Sequence, residues 1–74
     1  MSMHGVMLQH YVWFSVSASE SRGVTLPELV REVMQSMKRD GYITNEEEIK
    51  ACLDGMPCVI LEGTRWKLNR YKKQ

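Results

Sequence analysis

The amino-acid sequence predicts an α+β domain of three helices followed by a C-terminal β-hairpin. Two segments open with a capping box and continue as an apolar stripe of helical period, and a third alternates across a glycine turn. The composition agrees, because 43% apolar and 26% charged residues set the 74-residue chain apart from disordered sequences. That length is about half of an ordinary domain of roughly 100–150 residues, so one unit covering 1–74, whole or a fragment, is expected.

The N-terminal third supports two readings. Leu8, Tyr11, Val12, Ser15 and Val16 fit a helix, whereas Val12, Phe14, Val16 and Ala18 fit a strand. A helix over 4–17 is favoured, since two helices and one hairpin need a third long element to cover their apolar faces. Residues 17–23, SASESRG, are small and polar enough for a loop, after which Val24 can supply a single edge-strand pairing.

Leu26, Leu29, Val30, Val33, Met34 and Met37 then form one stripe, which predicts a helix over 26–38. Thr25 can cap it with Glu28 reaching back, and Pro27 is tolerated because first-turn amides have no intrahelical acceptor. Lys38 and Arg39 oppose the negative end of the helix dipole, and Asp40-Gly41 supplies the stop.

A second box, Thr44 with Glu47, opens TNEEEIKACLDGM, where Ile49, Cys52, Leu53 and Met56 repeat the helical spacing. This predicts a helix over 45–55, closed by a left-handed Gly55 and by Pro57, which cannot extend the ladder. Cys58-Val59-Ile60-Leu61 is apolar and β-branched, and after Glu62-Gly63-Thr64 the run RWKLN alternates. The expectation is a hairpin of 58–61 and 65–69, with Trp66 and Leu68 towards the core and Arg65 and Lys67 towards solvent. Residues 70–74, RYKKQ, read as a basic tail.

Helix, short extended piece, helix, helix, hairpin is the order of a winged-helix domain, and the chain resembles that superfamily over nearly its whole length. The most specific part is EEEIKACLDGMPCVILEGTRWKLNR, residues 46–70: a third helix, a tight exit, an apolar strand, a Gly turn and a return strand with an aromatic. In that stretch the chain is loosely similar to the C-terminal winged-helix domains of cullins and of the cullin-like anaphase-promoting-complex subunit. A similar shape occurs at the C-termini of replicative helicase subunits. The chain lacks the basic, lysine-containing region that carries the modification site of neddylated cullins, so that chemistry is not transferred. The resemblance implies a small three-helix winged-helix domain whose hairpin is the wing.

Charge narrows the function. DNA-reading winged helices usually send the third helix into the major groove, where phosphates must be met by Lys or Arg. Here that helix opens with Glu46, Glu47 and Glu48, and residues 44–56 hold four acids against Lys50 alone, so major-groove docking is disfavoured. The acids either favour the helix dipole and stay solvated, or with Lys50 form a docking face for a basic partner. From 58 to 74, Arg65, Lys67, Arg70, Lys72 and Lys73 stand against Glu62, a net +4, while residues 1–57 sum to −3. A basic wing with Trp66 and Tyr71 can contact nucleic acid by charge and stacking, although Trp66 alternates in phase with Leu68 as a core residue does. Tyr11, Trp13 and Phe14 crowd one segment, and a helix that buries one face leaves an aromatic outside. Trp13 is the candidate, as a subunit contact or an incidental exposed ring.

Other chemistries find no foothold. Ser15, Ser17, Ser19 and Ser21 lack a GxSxG setting, and the five glycines are too scattered for a phosphate loop, so no enzyme is expected. Cys52 and Cys58 have neither CxxC spacing nor a zinc-finger His. They are expected to be buried, reduced thiols, one on a helix and one on a strand, with no metal and no cofactor. Met34, Met37 and Met56 fall on core stripes. The longest apolar run is four residues, against roughly 20 needed to cross a bilayer, and the N-terminus lacks a signal-peptide pattern. An intracellular setting in nucleus or cytoplasm is expected, with no membrane and no small-molecule substrate. The partner is another protein subunit or, as the alternative, nucleic acid.

Overall fold

The structure, a computed structural model, describes residues 3–69. Helix α1 spans Met3–Ala18, a 3-10 turn covers Glu20–Arg22, and strand β1 is Val24–Thr25. Helices α2 (Leu26–Arg39) and α3 (Glu46–Asp54) follow, then β2 (Val59–Glu62) and β3 (Arg65–Leu68). The strands form one antiparallel sheet in the order β1-β3-β2. The result is the expected α+β class, three helices and a wing-like hairpin, with β1 as a two-residue edge.

Burial decides the N-terminal third in favour of the helix. Leu8, Val12 and Val16, four residues apart, are sealed in the core with Ser15 and Ser19, whereas Phe14, which a strand would bury beside Val12 and Val16, is 71% exposed. The two buried serines are satisfied, Ser15 by donating to the Glu32 carboxylate and Ser19 by donating to the Val16 carbonyl at 2.6 Å. The first bond also ties α1 to α2.

Helix α2 buries Leu29, Val33 and Met37, one turn apart, while Leu26 and Val30 pack at the margin. Met34, expected on this stripe, is exposed. It lies about 100° round the helix from Val33, beyond the arc that α1 and α3 cover. At the N-terminus Glu28 reaches back to Thr25 as expected, but through the side chain: Thr25 Oγ1 donates to Glu28 Oε1 at 2.7 Å, and the hydroxyl caps no backbone amide. The C-terminus closes as a Schellman motif, with Gly41 at φ +91°, its N–H donating to Lys38 O at 3.1 Å and Tyr42 N–H to Met37 O at 2.8 Å.

The cap of α3 sits one residue later than expected. Asn45, not Thr44, is the N-cap, and its Oδ1 accepts from the Glu48 N–H at 2.9 Å. Thr44 is buried, and its hydroxyl donates to Glu48 Oε1 at 3.0 Å. Either Thr44 or Asn45 can cap by type; the buried Thr44 hydroxyl bonds the Glu48 carboxylate instead, which leaves the backbone cap to Asn45. At the other end Gly55 takes φ −95°, not a left-handed conformation, so Pro57, which has no N–H to donate, and the return of the chain into β2 end the helix.

In the hairpin Glu62 pairs with Arg65 across Gly63-Thr64, and Gly63 at φ +67° provides the positive φ that a two-residue turn needs at its first position. Val59 and Leu68 are buried, and Trp66, opposite Leu61 on β2 and Val24 on β1, packs against the core. Cys58, expected as a buried strand thiol, is exposed and lies in the turn before β2. Cys52 is half-buried with its Sγ 3.6 Å from Met56 Sδ, and burial pushes its thiol pKa up. Among the described residues, no helix is long and apolar enough to cross a membrane.

Candidate interaction surfaces

Three surfaces hold the residues singled out above. The first is the outward face of α1. Its exposed positions are Gln9, His10, Trp13, Phe14 and Ala18, and Met3–Ala18 contains no Asp, Glu, Lys or Arg. A solvent-facing helix normally places charge opposite its buried stripe; this one places two aromatic rings there. Trp13 is 44% exposed and Phe14 71%. Trp13 flanks two hollows. One, between α1 and α2, is lined by His10, Tyr11, Trp13, Phe14, Ser36 and Arg39. The other, on its far side, is bordered by Gln9, His10, Met56 and Cys58.

Sequence reasoning identified Trp13 and missed Phe14, which assigning it to either a helix or a strand left ambiguous. It also missed Arg39, whose proximity to the rings depends on how α2 lies against α1. The Tyr11 hydroxyl donates to Asp40 at the end of α2, and this bond holds the phenol pKa above its ordinary value.

The second surface is the start of α3. Glu46, Glu47 and Lys50 are exposed. Glu48 is not a free docking charge: it accepts from Thr44 and His4, whose Nε2 lies 3.3 Å from Glu48 Oε1, and these bonds hold its carboxyl below the ordinary value. The acidic cluster is thereby reduced to Glu46 and Glu47, because the third glutamate closes the α3 cap onto α1. Trp13 and this cluster are not brought together. His4 marks the acidic end of α1, and Trp13 lies nine residues further on, about 14 Å along the axis.

The third surface is the wing, where the two described cations are engaged. Lys67 Nζ is 2.6 Å from Glu62 Oε1, and the lysine side chain is only 12% exposed. Arg65 donates through Nη1 to Gly23 O at 3.3 Å, and its charge contributes to lowering the Glu28 pKa, an effect led by the Thr25 hydroxyl bond. The expected solvent-facing pair is corrected on one count: Arg65 is exposed, Lys67 is largely covered. The cause is the Glu20–Gly23 segment, which crosses the outer face of β3 so closely that a Cβ on Gly23 would stand 2.9 Å from Arg65 Cβ and 3.7 Å from Lys67 Cβ. Arg70, Tyr71, Lys72 and Lys73 lie outside the described residues.

Among the described residues, no three His, Cys, Asp or Glu side chains are grouped so as to hold a metal ion. Comparison of the chain with protein-family models, with curated proteins and with solved structures gave no match.

Proposed function

We propose that this chain is a non-catalytic protein-interaction module of winged-helix type, working in the assembly of a larger intracellular complex in nucleus or cytoplasm. The observation that carries the reading is the side-by-side exposure of Trp13 and Phe14 on a helix without a formal charge. Charged residues are depleted from the cores of protein interfaces, where they would have to be desolvated, and aromatic rings are enriched among the few residues that carry most of the binding energy. Glu46, Glu47 and Lys50 then form a separate polar contact for a second part of the same partner. The winged-helix reading is supported by the order helix, strand, helix, helix, hairpin and by the β1-β3-β2 sheet.

Nucleic acid bound through Arg65, Lys67, Arg70, Tyr71, Lys72 and Lys73 is the second reading, favoured by the +4 balance of residues 58–74. Internal pairing of Arg65 and Lys67 weighs against it, since a phosphate contact must first displace Gly23 O or Glu62. Titration of a short labelled duplex at physiological salt separates the two. The interaction reading expects no binding in the micromolar range. Duplex binding at that level, lost when Lys67 and Arg70 are replaced by Glu, reverses the priority.

A further inference from the structure

Resting on the interaction reading, the geometry points to a partner for one surface: we propose that the groove between α1 and α2 receives an acidic amphipathic segment of another protein. Its apolar side chains would seat against Trp13 and Phe14, and a carboxylate would meet the Arg39 guanidinium.

The charges around the groove support that chemistry. Helix α1 contributes none, so every formal charge comes from α2 and the turn after it. Of these, Glu32 accepts from the Ser15 hydroxyl and Asp40 from the Tyr11 hydroxyl, so each carboxylate is held towards α1 by one hydrogen bond. Arg39 lines the groove beside His10 and Ser36; its charge acts on the Tyr11 phenol, and among the described residues its guanidinium enters no side-chain hydrogen bond or ion pair. A guanidinium next to apolar rings is matched by a planar carboxylate, which it holds with two parallel hydrogen bonds. His10, Trp13 and Phe14 recur at i, i+3 and i+4, so the rings form a ridge along α1 against which a second helix can lay its own apolar stripe.

Other occupants fit less well. A second copy of the chain would pair the surface with itself and bring a second Arg39, while its nearby carboxylates are already bonded. The area also falls short. Two rings of roughly 150–250 Å² each, only partly exposed, offer a fraction of the about 800 Å² per partner of a stable interface. A single strand of nucleic acid could stack on the rings, but its backbone needs a track of cations, and among the described residues Arg39 is the one Lys or Arg that lines the groove.

The test uses a display library of random peptides about four helical turns long, selected on the full chain alone, with each winner then measured on the Trp13→Ala/Phe14→Ala double variant. The expected winners are lost on the double variant and carry two apolar residues one turn apart with an adjacent Asp or Glu. A synthetic winner should bind roughly tenfold more weakly to Arg39→Gln, and its acid-to-lysine version should lose affinity for the native chain by a similar factor. Both ring positions are exposed and Arg39→Gln keeps a good helix former, so unchanged circular dichroism is expected; Phe14→Ser replaces the double variant should it unfold.

Winners without an acid, or indifference to Arg39→Gln, overturn the carboxylate contact and leave the interaction reading standing. Winners retained by the double variant, or none at all, overturn the groove as the site; the duplex titration still decides the broader reading. Self-association in sedimentation that the double variant abolishes gives the face to a second copy, and oligothymidylate binding abolished by the same variant gives it to nucleic acid. Either result overturns the proposal.

Discussion

The two tryptophans lie on opposite sides of the same packing problem. Trp66 is central in its sheet, paired with Val24 on one side and Leu61 on the other, and its ring closes the core beneath the wing. Trp13 sits on a helix whose other face already seals the core with Leu8, Val12 and Val16, and its ring is left facing solvent beside Phe14. Around the wing, polar side chains are engaged inside the molecule: Lys67 with Glu62, Arg65 with Gly23. Around α1 the outward rings have no such engagement. One region turns its ring and its charges inward, and the other leaves two rings in contact with solvent.

The sharpest way to break this contrast is to truncate each ring. Trp66→Ala is expected to destabilise the fold by about 2–3 kcal/mol, less than a fully buried ring because Trp66 keeps some exposure, whereas Trp13→Ala should stay within about 0.5 kcal/mol. Chemical denaturation of both variants measures the difference. Equal losses would mean that Trp13 is a core residue after all.

Gly23→Ala tests the segment that covers the wing. With φ +81° and ψ 169° the position is in a region open essentially only to glycine, and an added Cβ would stand 3.2 Å from Trp66 O as well as against Arg65. A loss of about 2 kcal/mol is expected in thermal melts, with Arg65 and Lys67 becoming more accessible to chemical labelling.

At the opposite end, Asn45→Ala should cost about 1 kcal/mol through loss of the α3 cap. Glu48 adds a pH dependence there. Its pKa is lowered, chiefly by the Thr44 hydroxyl and then by His4, so its contribution is full above the ordinary glutamate range and is lost as pH falls through the lowered value. Glu48→Gln should therefore flatten the acid limb of a stability-pH profile; an unchanged limb would show that the carboxylate is not engaged in solution. The smallest effect belongs to Lys67→Gln, at about 0.5 kcal/mol in urea melts, because Glu62 remains well solvated.

Some of this was readable in the chain itself. The α2 helix was fixed by Leu29, Val33 and Met37 one turn apart and by Asp40-Gly41 beyond them, because periodicity and stop signals are local properties. The hairpin followed from Gly63 and the alternation of Trp66 and Leu68 for the same reason. Met34 failed because a stripe gives the direction of burial and not the width of the covered arc. Cys58 failed because apolar composition does not say where a strand begins. Glu48 looked like its neighbours Glu46 and Glu47, and only the approach of α1 with His4 separates them.

What the sequence alone determined, then, were α2, α3 and the hairpin and their order, since each is specified by residues within about one or two turns of one another, whereas the type of the N-terminal element was decided by burial. Tertiary structure decided which charges remain available and which rings face outwards. Those properties depend on pairs such as Tyr11 with Asp40, Ser15 with Glu32 and Arg65 with Gly23, which lie 29, 17 and 42 residues apart and meet only when the helices and the sheet have packed. Period and turn chemistry act along the chain, whereas desolvation and pairing act through space.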